Sequence, residues 1–250
     1  MNLKGKIAIV TGGTRDIGKA ISIKLAKEGA KVVVNYFSNE ANAKETLNAI
    51  KSDGGEAIIV KADVTKKSEV DRLVKEAVSR YGDTIDILVN NAGGLVARKT
   101  IAEMDEAFFD RVIKLNLNST FLVTQAVLPY MKSGASIINI ASQAGRDGGG
   151  GGSIAYATSK GAIMTFTRGL AKEVGPKNIR VNALCPGMIA TTFHDTFTTD
   201  EVREKVAGMT PLRREGSAEE IANAVACLAS SETSFITGAN IDINGGLVFS

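Results

Sequence analysis

Seven short, almost continuously apolar runs recur along this chain, each separated from the next by a stretch with helical spacing. The runs occupy residues 6–12, 31–36, 56–63, 86–93, 136–141, 179–184 and 239–246. Strands that are apolar at nearly every position, rather than at alternate ones, are buried on both faces, as in a parallel sheet. Between them Ile17, Ile21 and Leu25 share one helical face, and residues 39–52, 67–81, 105–132, 156–174 and 218–230 read as further helices. Alternation of this kind closes through right-handed crossovers that cover both faces of the sheet. The expected fold class is therefore α/β: a single doubly wound domain over residues 1–250, its seven-stranded parallel sheet flanked by helices. A chain of 250 residues can fill such a core as one unit.

Composition narrows the partners. The formal charge is only +3 and the basic residues are scattered, so no nucleic acid is expected. There is no apolar run of 18 residues and no signal-peptide pattern, so no membrane association is expected and a cytoplasmic location is. Cys185 and Cys227 form no framework, which suits a reducing compartment, and Cys185 lies inside an apolar run, where it reads as core.

In doubly wound sheets ligands bind beyond the carboxyl ends of the strands, near the switch point. Four polar or glycine-rich features fall at such ends: 12–18, 90–93, Ser142 and Pro186-Gly187. The first, Gly12-Gly13-Thr14-Arg15-Asp16-Ile17-Gly18, joins a strand to a helix N-terminus. It makes either a phosphate cradle of free amides and helix dipole, or simply a tight turn. The third lies near Tyr156 and Lys160, which stand four apart and project from one helical face. A free phenol titrates near ~10, and a neighbouring ammonium favours the phenolate. Lowering that pKa by ~3 units takes roughly 4 kcal/mol of differential stabilisation. Taken alone, the pair reads as two ordinary surface residues. Ser142 upstream and the N-terminal glycine turn favour chemistry.

Together the turn 11–18, Asp63-Val64, Asn90-Asn91-Ala92-Gly93, Asn116, Ser142, Tyr156-x-x-x-Lys160 and Pro186-Gly187 resemble the short-chain dehydrogenase/reductase family along essentially the whole chain. The resemblance implies a Rossmann-type fold, a nicotinamide cofactor, and metal-free hydride transfer between a carbonyl and an alcohol. It implies Tyr156 as acid or base, Lys160 as the group lowering its pKa and binding the nicotinamide ribose, and Ser142 as holder of the substrate oxygen. Asn116 would support a water leading protons to Lys160. Cofactor contacts would come from Gly12, Thr14, Arg15, Asp16, Ile17 and Gly18, from Tyr36 and Ser38, and from Asp63 and Val64 at the adenine. Asn90, Ala92, Gly93, Pro186, Gly187, Ile189 and Thr191 would complete them. For Asn116 and Asp63 the alternative is structural capping.

Three departures stand out. Asp16 occupies the place of the family's middle turn glycine; its carboxylate would repel a pyrophosphate by roughly 2 kcal/mol at ~8 Å and an effective dielectric of ~20, unless it points outward and caps the helix. The interval from Ser142 to Tyr156 is one residue longer than the commoner one, and the glycines at 148–152 can absorb it, as a pocket wall or as a spacer. Gly94 leaves the wall after Gly93 without a side chain. At the end of the second strand no acid is present to hold a 2′-hydroxyl; Tyr36 stands there with Arg15 in the facing turn, which favours NADP(H) over NAD(H).

The small-molecule carbonyl or alcohol substrate is expected under a polar, mobile lid of about residues 190–216, carrying the only histidine, His194. His194 either hydrogen-bonds substrate or is a surface-loop residue. Gln143 and Arg146 are candidates for binding hydroxyls or a carboxylate, and the polar walls favour a sugar-derived keto compound. The close alternative is a 3-oxoacyl thioester on a carrier protein. A different class of reading is an inactive nucleotide-binding sensor or scaffold, with Asp16 as its support. The resemblance also implies a homotetramer.

Overall fold

The computed structural model describes residues 1–249. Seven parallel strands form one sheet in the order β3-β2-β1-β4-β5-β6-β7. They are β1 (Ile7–Val10), β2 (Lys31–Tyr36), β3 (Glu56–Lys61), β4 (Ile87–Asn90), β5 (Ser136–Ile140), β6 (Arg180–Pro186) and β7 (Asn240–Ile243). The central strands are buried throughout because successive side chains enter different cores. In β1, Ala8 and Val10 join the cluster under α1 (Asp16–Lys27) and α10 (Ala218–Ala229). Ile9 joins the opposite cluster, under α3 (Lys67–Tyr81) and α5 (Ser119–Val127). This two-sided burial is the cause of the unbroken apolar runs. Strand order reverses direction between β1 and β4, so their carboxyl ends open the crevice.

The remaining helices are α2 (Glu40–Ser52), α4 (Glu106–Ile113), α6 (Ala144–Asp147), α7 (Ile154–Val174), α8 (Thr192–Phe197) and α9 (Asp200–Met209). The helix expected over 105–132 is interrupted. Between α4 and α5 the chain widens into a π turn at Lys114–Asn118, and after α5 it tightens into a 3-10 turn at Leu128–Tyr130, where Pro129 ends regular helix. The polar insertion is also more regular than expected. It holds α8 and α9, and a parallel bridge between Ile189 and Gly216 closes its base. Its stem is the Ser217–Glu220 capping box that starts α10. No helix among the described residues is long and apolar enough to cross a membrane.

Candidate active site

A cleft of about 1300 Å³ opens at the carboxyl ends of the strands and runs from the first turn to the insertion. Its floor is built from glycine geometry. After β1 the chain turns through Gly12 at a φ of +60°, and a Cβ on Gly18 would lie 2.1 Å from the Gly12 carbonyl oxygen. Only glycine lets α1 approach that closely. Asn91 then ties this turn to the segment after β4: its Nδ2 donates to the carbonyls of Thr11 (3.1 Å) and Gly12 (3.0 Å). The amides of Asn91 and Ala92 in turn donate to Thr11 Oγ1, each at 3.0 Å.

Asp16 takes neither of the places expected of it. Its φ is +49°, in the left-handed region, which accounts for glycine being usual there. Arg15 is the N-terminal cap of α1 and supplies no side-chain capping bond. The Asp16 carboxylate instead crosses the cleft and accepts from Thr192, from the amide at 3.0 Å and the hydroxyl at 2.6 Å. Arg15 lines the cleft but directs Nη1 at Thr192 Oγ1, 3.5 Å away.

Thr14, Ile17, Tyr36, Ser38, Asp63, Val64, Ala92 and Gly93 also line the cleft, with Pro186, Gly187, Ile189 and Thr191 opposite. Asp63 caps its own turn, accepting from the amide (3.0 Å) and hydroxyl (2.7 Å) of Thr65. The expectation for Asn90 is corrected. Its side chain points into the interior, donating to Thr124 Oγ1 (3.0 Å) and Asn139 Oδ1 (2.9 Å), and Asn91 faces the cleft in its stead. Residues alternate faces at a strand end, so the neighbour of an inward side chain points outward.

Tyr156, Lys160 and Ser142 converge at the middle of the cleft. Tyr156 is the third residue of α7, and Lys160 follows one turn later. Lys160 is only 4% exposed; its Nζ donates to the Ile140 carbonyl at 2.7 Å and lies 5.7 Å from the centre of the Tyr156 ring. Ser142, just past β5, lines the cleft beside the Tyr156 phenol, and its Oγ accepts from the Ala144 amide at 3.1 Å. Burial holds the Tyr156 phenol above its ordinary value, opposed by the Ser142 hydroxyl, and burial brings Lys160 down to about 8. Desolvation is the leading cause for both groups. Asn116 sits in the π turn, fully buried, and its amide is satisfied by Gly94 N and O (3.0 Å each) and Val112 O (2.9 Å). That side chain holds the Gly93-Gly94 segment, where a Cβ on Gly93 would stand 3.4 Å from Lys160 Nζ.

Toward the insertion, Gln143, His194, Phe193 and the glycine loop form the far walls. Gln143 Nε2 donates to Asp147 at 2.9 Å, while its buried Oε1 has no partner among the described residues. His194 lies edge-on to Phe193 and shares a hydrogen bond of 3.0 Å with Thr198 Oγ1. Burial lowers its pKa and keeps the ring neutral near pH 7. Arg146 does not face substrate, correcting that expectation. The short α6 turns it to β7, where Nε donates to Asp242 (2.6 Å) and Nη2 to the Asn240 carbonyl (2.6 Å). The glycine loop is a wall rather than a spacer: Gly149 and Gly150 line the cleft, and Gly148, Gly149 and Gly152 all have positive φ. Arg98, also in the lining, was not marked by any spacing in the sequence. Its Nη1 donates to the Gly151 carbonyl at 2.7 Å. Among the described residues no cluster of three metal-ligating side chains occurs, and the Cys185 thiol is buried in β6 and pushed up to about 11 by that burial.

A family model described as Enoyl-(Acyl carrier protein) reductase matches residues 12–248. Glucose 1-dehydrogenase 2 of Bacillus subtilis is 40% identical over 252 residues, covering 98% of this chain and 96% of the relative. Among solved structures, a short-chain dehydrogenase/reductase from Serratia marcescens superposes with a TM-score of 0.93 at 36% identity, covering 99% of each chain. An NADH-dependent reductase responsible for alginate metabolism gives 0.90 at 35%, with 99% of each chain covered. A blue fluorescent protein from a metagenomic library, in complex with NADPH, gives 0.92 at 33%, with both chains covered fully. The fold, the cleft and these relatives agree: this chain belongs to the short-chain dehydrogenase/reductase family, oxidoreductases that use a nicotinamide cofactor on CH–OH groups.

Proposed function

We propose that the protein interconverts a polar, hydroxylated ketone or aldehyde of sugar type and its alcohol, with NADP(H) preferred. The observation that carries this is the convergence of a buried Lys160, the Tyr156 phenol and Ser142 on one cleft that Gln143 and His194 also line. The residues fit a dinucleotide: the Gly12–Gly18 approach leaves backbone amides free of any Cβ, and Gly93 adds an open wall beside Lys160. When bound, the nicotinamide gives or takes the hydride. Tyr156 transfers the matching proton at the substrate oxygen, and Ser142 orients that oxygen. The Lys160 ammonium stabilises the phenolate form, and Asn116 keeps the Gly93-Gly94 wall in place around it. Because burial raises the phenol, its activation at neutral pH depends on positive charge in the cleft, beginning with Lys160.

Support for NADP(H) is the acid-free end of β2, where Tyr36, Phe37, Ser38, Asn39 and Asn42 line the cleft. Support for a hydroxylated substrate is the unpartnered Gln143 Oε1, a buried acceptor that a hydroxyl would satisfy, together with the neutral His194. The glucose dehydrogenase relative points the same way. We also propose assembly as a homotetramer, supported by exposed Phe249 and Leu212 beside β7, the edge strand, and by exposed Phe235. The test is a thermal-shift titration with NADPH and NADH, followed by initial rates on aldoses, keto-sugar acids, diketones and a 3-oxoacyl thioester. A larger shift with NADPH and highest kcat/KM on a polyhydroxylated compound are expected. A preference for NADH overturns the cofactor reading, and best turnover of the thioester overturns the substrate reading.

A further inference from the structure

The substrate wall α8 is only six residues long, yet charged side chains from the start of α1 and from the loop after β4 hold both its ends. At its N-terminus, Asp16 of the phosphate turn accepts from the amide and hydroxyl of Thr192 at 3.0 and 2.6 Å. At its C-terminus, Arg98 of the loop after β4 donates Nε to the Phe197 carbonyl at 2.9 Å. Each charge suits the helix end it meets. Arg98 also reaches Gly151, and the Lys99 amide donates to the Gly152 carbonyl at 3.0 Å, so the glycine loop is fixed by the same segment. That segment is itself held in a costly shape. Val96 has a φ of +68° within a three-residue turn closed by Ala97 N to Leu95 O at 2.9 Å. A β-branched residue in the left-handed region persists only where its surroundings enforce it.

Between its held ends, α8 places Phe193 5.9 Å from the Tyr156 ring and carries His194 into the cleft. We propose that Asp16 and Arg98 are positioning residues that clamp the two ends of α8, fixing Phe193 and His194 over Tyr156 and linking the cofactor turn to the shape of the substrate pocket. The presence of an acid where the turn usually has glycine thereby acquires a purpose: its carboxylate faces the insertion rather than a phosphate. The clamp is made by the chain's own residues, so part of its test is independent of catalysis; its effect on turnover rests on the proposed oxidoreductase reading.

The experiment is hydrogen–deuterium exchange on the cofactor-free protein, comparing the parent with Asp16→Gly, Arg98→Ala and Arg98→Lys. Asp16→Gly keeps a residue that tolerates the left-handed backbone, so folding is preserved. Exchange in 192–197 is expected to rise about tenfold in Asp16→Gly and in Arg98→Ala, the size of one charge-assisted hydrogen bond, with 149–152 rising in Arg98→Ala alone. Arg98→Lys restores part of the protection. At saturating cofactor the substrate KM rises about tenfold in both loss variants, with kcat changing less. Exchange in 192–197 unchanged from the parent overturns the clamp. So does a fall in Tm and active fraction with KM unmoved, which is what a merely structural role produces. If no variant or parent turns over any carbonyl, the oxidoreductase reading fails while the exchange pattern still decides the clamp.

Discussion

Lys160 is a buried cation at the centre of the site. It is a base whose pKa falls from 10.5 to about 8 on burial. The unfolded chain therefore binds more protons between those values. Stability rises with pH from about 8 to 10.5, and the cost of the charged form is full below 8. That gap is about 3 kcal/mol, less about 1 kcal/mol for the hydrogen bond to Ile140. Lys160→Met should thus abolish turnover while raising stability at pH 7 by about 2 kcal/mol and flattening the pH dependence above 8, as read by urea denaturation. Residue identity at the core of the site was legible, because Tyr156 and Lys160 share a helical face and Ser142 ends an apolar run. Two neighbours were not. Asn90 differs from Asn91 only in the phase of a strand end, and Arg146 is claimed by Asp242, 96 residues further along the chain.

At the scale of elements, the strands and the long helices could be read directly, since burial on two faces and a helical apolar stripe both leave periodic marks. The π turn at Lys114–Asn118 leaves none: the helix continues on either side, and the interruption is seen only through Asn116 reaching Gly94. The helices of the insertion were hidden for another reason. α9 is polar and is held by Arg203, which pairs with Glu215 at 2.7 Å and Asp195 at 2.6 Å, so charge contacts replace an apolar face. The glycine loop makes a graded prediction. At Gly152 a Cβ would lie 3.0 Å from Arg98 Cβ and the φ is +71°, whereas Gly151 has open space and no left-handed backbone. Gly152→Ala should cost about 1–2 kcal/mol and raise the substrate KM, while Gly151→Ala stays within about 0.5 kcal/mol. Denaturation midpoints and initial rates on the two variants check this.

For the whole molecule, the doubly wound topology sets the cofactor turn, the catalytic trio and the insertion around one crevice, with the open edge of β7 on the sheet's far side. Phe235 is fully exposed, and Phe249 and Leu212 are mostly so, an apolar surface that association would cover. A particle of four times 26.2 kDa is expected by light scattering, falling to a smaller species when Phe235 and Phe249 are both changed to Asp. Contained within the crevice is the central claim, that Tyr156 carries the proton while the rest of the cleft holds the cofactor. The most direct measurement is the turnover of Tyr156→Phe beside its affinity for NADPH. Phe lacks only the phenolic hydroxyl of Tyr, so binding should stay within about twofold while turnover falls by about 10²–10⁴. Turnover within a few-fold of the parent, with the cofactor still bound, would contradict the account.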